Sequence, residues 1–362
     1  VGDTLVSNSA STVALTRPAS SSTVRIAAMS ATCPAGISNL LQLVQMSACG
    51  TDCTSDSYFE RWMIPDSATG ISVDVNRVKF GGFLHDFELF DNSFFSISPA
   101  EANAMDPQQR LLLEGSYTAL HGAALERAAI LGCVVGVFIG ISAYDWTEII
   151  RSSPMARSVF SATGSAHSIA SGRISFVLGL LGPCLTYDTA CSAALAANHA
   201  GLRALQMNEC VSGLVSGVNL MLLPGMSISF ATAGMTSPSG HCFTFDQRAD
   251  GYCRAEACCS VVLRTNNDRG AVSLPVLGSC IRQDGKSASL TAPSGSAQVQ
   301  LLQSALDEAA TPSEEVACVE APGTGTSLGD PIEVRSIASA ILCGIDALCP
   351  PIFGSIKGNV GH

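Results

Sequence analysis

Cys191 lies in the run Thr186-Tyr187-Asp188-Thr189-Ala190-Cys191-Ser192-Ala193-Ala194-Leu195. The apolar residues from Ile174 to Leu185 predict a strand, and the Ala-rich residues after the cysteine predict a helix continuing to about Leu205. A thiol at a strand-to-helix junction faces unpaired amide N–H groups and the positive end of the helix dipole, both of which favour the thiolate. The thiolate is the attacking species, so Cys191 is a candidate nucleophile for an acyl thioester. Burial as a small apolar residue suits most of the other cysteines among the 15 in the chain. For Cys191 the junction favours the nucleophile over a core role.

The elements that must hold this thiol follow from pattern and composition. At 362 residues, 47% hydrophobic and 14% charged, the chain can bury a large core. Val134 to Ile139 is a continuous apolar strand of the kind covered on both faces. Asn219 to Leu223, Cys258 to Leu263 and Val276 to Ile281 read the same way. Asp106 can cap a helix with Pro107 at its first position, where no amide donor is lost. Further helical patterns run over Gln298 to Ala309 and Glu333 to Leu342. The alternation predicts an α/β architecture with helices on sheet faces. A Ser/Thr/Ala-rich stretch without period predicts a flexible leader or linker over residues 1–23.

Composition also excludes functions. A net charge of −11 argues against a nucleic-acid partner held by counterion release. The longest strongly apolar stretch, Leu131 to Ile141, carries two glycines and is too short to span a bilayer. The odd cysteine count, the absence of Cys-x-x-Cys and the lack of a signal peptide predict reduced thiols in a reducing intracellular compartment, the cytoplasm or an organelle such as a plastid. The histidines have no metal-ligand spacing, and no metal is expected. His199, on the helix after Cys191, reads as a packing or surface residue. Val1 at the start and Gly361-His362 at the finish give the expectation of a fragment at both ends.

Two further loops combine glycine with hydrogen-bonding groups beside apolar strands, the arrangement by which loops present a site on a rigid sheet. One is Glu320-Ala321-Pro322-Gly323-Thr324-Gly325-Thr326-Ser327-Leu328-Gly329-Asp330-Pro331-Ile332-Glu333, and the other is Gly354-Ser355-Ile356-Lys357-Gly358-Asn359-Val360-Gly361-His362. With the cysteine elbow they resemble the β-ketoacyl synthase (ketosynthase) domain of type I polyketide and fatty-acid synthases, of the thiolase-like superfamily. Gly81 to Leu84, Phe94 to Pro99, Met105 to Glu114, Gly136 to Gly140, Phe245-Asp246, Ala249 to Tyr252, Gln283 to Gly285 and Leu290 to Pro293 match in the same order. The resemblance covers about Val24 to His362.

It implies a layered αβαβα fold of two similar halves. An N-terminal half over 24–275 would carry the nucleophile, and a C-terminal half over 276–362 would be incomplete, lacking the segment whose glycine-rich loop shares the oxyanion hole. It implies a homodimer, neighbouring synthase domains, and no bound cofactor. Substrates would arrive on the phosphopantetheine arm of an acyl carrier protein. Cys191 would take the acyl chain, and a malonyl-type extender would then lose carbon dioxide and attack it.

The family places two histidines near the cysteine to stabilise the enolate, donors aimed at developing charge. His362 fills the second position; Pro322 stands at the first and offers neither imidazole nor N–H. Thr324 and Thr326 would contact the pantetheine arm, with Asn359 in the last loop supporting the site. Lys357 and Glu333 would brace the loops through an ion pair. Arg254-Ala255-Glu256-Ala257 stands where the family has glycines, adding Cβ atoms where backbone could be crowded or need positive φ.

These features favour acyl transfer with impaired condensation. Full condensing activity is the alternative if a proline is tolerated or is an error at 322. A non-catalytic dimer partner is disfavoured by the intact elbow, and a degradative thiolase by the malonyl-type loops.

Overall fold

The computed structural model describes residues 23–56, 61–62, 74–265, 273–342 and 351–362. The leader expected over 1–23 lies outside the described residues except for Thr23.

Ten strands follow in chain order: β1 (Arg25–Thr32), β2 (Ser55–Asp56), β3 (Phe80–Gly81), β4 (Val135–Gly140), β5 (Cys184–Tyr187), β6 (Ser212–Asn219), β7 (Ala257–Arg264), β8 (Leu274–Pro275), β9 (Cys318–Glu320) and β10 (Ile352–Gly354). Six form a mixed sheet in the order β5-β4-β6-β7-β1-β8. The β5–β4 and β4–β6 pairs are parallel, and β6–β7, β7–β1 and β1–β8 are antiparallel. Strand β4 is buried along its whole length, because helices cover both faces. On one face Leu112, Leu113 and Leu120 of the Pro107–Gly122 helix pack with Ile174, Leu178 and the β4 residues Val135, Val137 and Ile139. On the other, Phe138 meets Ala197, Leu202 and Leu205 of the Ala193–Gln206 helix. The strand's two-residue period thus feeds two separate cores.

The C-terminal region is smaller. Strands β9 and β10 pair in parallel, and Ala321, Ile337 and Ile341 form a core with Phe245, Leu302, Leu306 and Phe353. The helices beside it run Gly295–Ala309 and Gly329–Ile337.

Asp106 caps its helix as expected, its Oδ1 accepting from the Gln108 N–H at 2.8 Å. Three expectations are corrected. The stretch from Ile174 to Leu185 is not one strand. Its first part belongs to the His167–Leu178 helix, which Gly179 ends at φ +67°, and the strand starts only after Gly182-Pro183. The apolar period alone does not separate a buried helix from a buried strand. The strand expected over Asn219 to Leu223 ends at Asn219. Leu222 and Leu223 instead donate their N–H groups to the Asp145 carboxylate, each at 2.9 Å. Val276 to Ile281 forms no strand: its one sheet-like bond is from the Val276 N–H to the Val24 carbonyl at 2.9 Å, and Leu277 and Ile281 are exposed.

Candidate active site

The cysteine elbow is built as its sequence context requires. Strand β5 delivers the chain to Asp188, and Ala190 then takes a left-handed conformation at φ +53°. A non-glycine residue there costs about 1–2 kcal/mol, and the turn offsets it with local bonds. The Ala190 N–H donates to Asp188 Oδ1 at 3.1 Å, and Ala193 N–H donates to the Ala190 carbonyl at 3.0 Å. Ser192 Oγ donates to the Thr189 carbonyl at 2.9 Å. Cys191 stands exposed on this turn, immediately before the Ala193–Gln206 helix and its cap Ser192. The helix approaches the sheet closely because Gly217 lies beneath it; a Cβ there would fall 2.6 Å from that of Ala194.

The second loop follows β9. Asp330, 4% exposed, organises it. Its Oδ1 accepts from the Gly325 and Thr326 N–H groups at 3.1 and 3.2 Å, and its Oδ2 accepts from Phe245 N–H at 2.9 Å. Thr326 Oγ1 accepts from Gly329 N–H at 3.1 Å. Gly323 and Gly325 have φ of +45° and +78°, and a Cβ on Gly323 would meet Thr244 Cγ2 at 2.5 Å. Thr324 is half-buried and Pro322 exposed. Two hydroxyls flank Pro322 but are committed to carbonyls: Thr244 Oγ1 donates to Gly323 O at 2.6 Å and Ser355 Oγ to Pro322 O at 3.2 Å.

The third loop follows β10, which brings it beside the second through the Glu320–Gly354 register. His362 is fixed by its backbone: its N–H donates to Cys253 O at 2.7 Å, and its carbonyl accepts from Ala255 N–H at 2.7 Å. The Tyr252 ring meets the imidazole edge-on, 4.9 Å between centroids and 83° between planes. Asn359 points away from this cluster, its Nδ2 donating to Thr51 O at 3.1 Å and its carbonyl accepting from Cys53 N–H at 2.8 Å.

Electrostatics tie the three loops together. His362 is pushed down to about 4 by burial first, then by the Lys357 and Arg254 cations, so it is neutral at pH 7. Burial lowers Lys357, opposed by negative charge at Cys191 and Glu333. Burial raises Tyr252, and Cys191 acts on it in the same sense. Cys191, Tyr252, Lys357 and His362 therefore share one neighbourhood.

The ion pair expected between Lys357 and Glu333 is corrected. Among the described residues they act on each other without a direct ion-pair contact, and the Glu333 Oε2 accepts from the Gly323 N–H at 2.9 Å.

The alanines at 255 and 257 are not strained. Neither has positive φ, and Ala255 has room because glycines face it. A Cβ on Gly82 or Gly361 would come within 3.1 or 3.0 Å of the Ala255 Cβ.

Sequence reasoning missed the buried ion pair formed by the residue between them. Glu256 is fully buried, pairs with Arg61 Nη2 at 2.6 Å, and accepts from the N–H groups of Leu84 at 2.7 Å and Met221 at 2.8 Å. A charged residue between two alanines at a strand start was the available signal. The role of Asp330 was missed too, since a helix-opening Asp-Pro reads as an ordinary cap.

The His362 environment predicts a pH effect on stability. Its folded value of about 4 lies below the ordinary 6.5, so between them the unfolded chain binds more protons. Stability should fall as pH drops from 6.5 toward 4, and His362→Gln should flatten that part of the melting-temperature profile. An unchanged slope in the variant would refute the assignment.

The description "Beta-ketoacyl synthase, N-terminal domain" matches residues 21–269, and "Beta-ketoacyl synthase, C-terminal domain" matches residues 275–362. The chain belongs to the beta-ketoacyl synthase family. Its class is that of the ketosynthase domains of polyketide synthases, with the thiolase-like fold. It is 38% identical over 356 residues to the spectinabilin polyketide synthase system protein NorC of Streptomyces orinoci, covering 95% of this chain and 16% of that one. It is 41% identical over 324 residues to the polyketide synthase GfsE of Streptomyces halstedii, covering 88% and 8%. Among solved structures, the ketosynthase from module 6 of the bacillaene synthase of Bacillus subtilis 168 superposes with a TM-score of 0.84 at 32% identity, over 94% of this chain and 58% of that one. The Streptomyces albus JA3453 oxazolomycin ketosynthase domain gives 0.84 at 30% identity, over 94% and 61%. The chain thus spans less than a fifth of these curated relatives and about three-fifths of these solved chains. Among the described residues no helix is long and apolar enough to cross a membrane, and no group of three or more ligating side chains could hold a metal ion.

Proposed function

We propose that this domain accepts an acyl chain on Cys191 from the phosphopantetheine thioester of an acyl carrier protein, and that its decarboxylative condensation is impaired. The Cys191 thiolate attacks the thioester carbonyl, the bond to the pantetheine sulfur breaks, and the released pantetheine thiolate takes up a proton. Condensation would further require a malonyl-type extender to lose carbon dioxide, leaving negative charge on the thioester oxygen. A neutral His362 can donate one hydrogen bond there. The observation that carries the reading is Pro322: no donor stands at the other position, and the neighbouring Thr244 and Ser355 hydroxyls are already donating to carbonyls. Losing one such donor elsewhere costs about 10²–10³ in rate.

In this reading Thr324 and Thr326 line the path of the pantetheine arm. Asp330 and Glu333 hold that loop by its amides, Lys357 supplies positive charge beside the cysteine, and Asn359 ties the last loop to residues 51–53. A second copy of the chain is the proposed partner at β5. That strand is a sheet edge, and Leu181, Leu185 and Leu195 near it are exposed; unpaired edges of this kind invite pairing. Further synthase domains would flank the chain.

The test offers an acyl thioester to the protein, followed by malonyl-carrier protein, with intact-mass readout. Acylation that is absent from Cys191→Ala, with little condensed product, supports the proposal. Rapid condensation would reinstate the ordinary elongating ketosynthase, and absence of acylation would leave a non-catalytic partner.

A further inference from the structure

Beside Tyr252, Cys253 and Arg254 lies a small cavity that the reaction does not use. Its volume is about 10 Å³, room for one water-sized occupant. Arg77, Ser227, Thr236, Ser237, Tyr252 and Arg254 supply its polar lining, and among the described residues no Asp or Glu lines it.

Several groups in this lining hold capacity in reserve. Thr236 is 3% exposed, yet its Oγ1 has no hydrogen-bond partner. A buried hydroxyl left unpaired is destabilising. Such a group in a native fold calls for an occupant. Arg254 Nη1 donates to Ser227 Oγ at 2.6 Å, which leaves the Ser227 proton to point elsewhere. Arg77 Nη1 donates to the carbonyls of Thr236 and, at 3.5 Å, Asp250. Ser237 Oγ is shared with Ser239 Oγ at 2.8 Å.

The carboxylates nearby are engaged by other groups. Glu256 serves Arg61 and two backbone amides, and Asp145 Oδ2 serves Leu222 and Leu223. Asp250 Oδ2 accepts from Ser239 Oγ at 3.4 Å. Two guanidiniums thus border a one-particle space with no carboxylate in its wall, and Asp145 and Glu256 beyond the wall offset only part of the Arg254 charge. Positive charge there favours an anion over water.

We propose that this cavity is a binding site for a single small monovalent anion of the halide class, held by Arg77, Arg254, Ser227 and Thr236. The small volume favours a single monatomic ion over phosphate or sulfate, and the donor set suits a spherical ion. An occupant would brace the 252–255 segment, whose Cys253 carbonyl and Ala255 N–H hold His362. Halide binding is measured directly, so its outcome does not depend on which acyl chemistry the domain performs.

The experiment titrates the whole protein with chloride or bromide against gluconate at constant ionic strength, following the melting temperature, and measures the ³⁵Cl line width by NMR. A saturable rise in melting temperature with halide alone is expected, together with chloride line broadening that bromide reverses. Arg77→Gln should weaken affinity about tenfold or more, since a hydrogen bond to a charged group contributes about 1.5–3 kcal/mol. Thr236→Val, which keeps the side-chain shape, should weaken it less. Equal melting in halide and gluconate with no line broadening in the unmodified protein would overturn the proposal and leave water as the occupant. Broadening unchanged in both variants would place the halide elsewhere and overturn it equally.

Discussion

Pro322→His should raise the rate of malonyl-thioester decarboxylation at least tenfold, toward the about 10²–10³ associated with one oxyanion donor. The proline is exposed at the start of the loop that Asp330 and Glu333 hold through backbone amides, so the exchange leaves that scaffold intact. Its carbonyl keeps the Ser355 hydroxyl as donor, and Gly323 keeps its positive φ. The substitution therefore adds an imidazole without asking a buried group to move. Acylation of Cys191 should change little, because the thiol's turn is built from residues 188–193 alone. The check is carbon dioxide release from malonyl-carrier protein by the acylated enzyme, with the rate of Cys191 acylation measured in parallel. Equal release by both forms would remove the basis for impaired condensation.

Glu256→Ala should destabilise the domain by about 3–5 kcal/mol, the cost of stranding one partner of a buried pair. Its carboxylate is fully buried and balances Arg61, whose side chain is 7% exposed. Burial raises Glu256, and the Arg61 contact pulls the other way. Removing it deprives Arg61 of this buried counter-charge and leaves the Leu84 and Met221 N–H groups without their acceptor. Because Glu256 immediately follows the Ala255 N–H that holds the His362 carbonyl, acylation and condensation should suffer along with stability. Denaturant midpoints give the measurement. A loss below about 1 kcal/mol would mean that water reaches the pair and screens it.

Much of the site was legible in the chain. The elbow, the Asp106 cap, β4 and β7 follow from local rules: a capping side chain, proline at a first helical position, continuous apolar runs. Cys191 stands out because its thiol sits at a strand-to-helix junction, and Pro322 and His362 stand out because the family resemblance places a histidine at each of those positions. Legibility failed where period and partner disagreed. Ile174 to Leu178 is apolar enough for a strand and lies in a helix, where Ile174 and Leu178 are buried and Gly179 ends the helix in a left-handed conformation. Val276 to Ile281 has strand composition but finds only a single sheet-like bond.

What the sequence by itself determined is the chemistry on offer: a thiol on a tight strand-to-helix turn, one imidazole in a glycine-rich loop and, as the family resemblance implies, a proline where a second imidazole would be. Local covalent structure and short-range hydrogen bonds set those features, so they survive without knowledge of distant contacts. The tertiary structure alone decided that Glu256 pairs with Arg61 and that Glu333 serves an amide rather than Lys357. It also decided that His362 is kept neutral by burial beside two cations. These depend on which groups lose water together and face one another across more than a hundred residues or between adjacent loops, and no spacing along the chain encodes that.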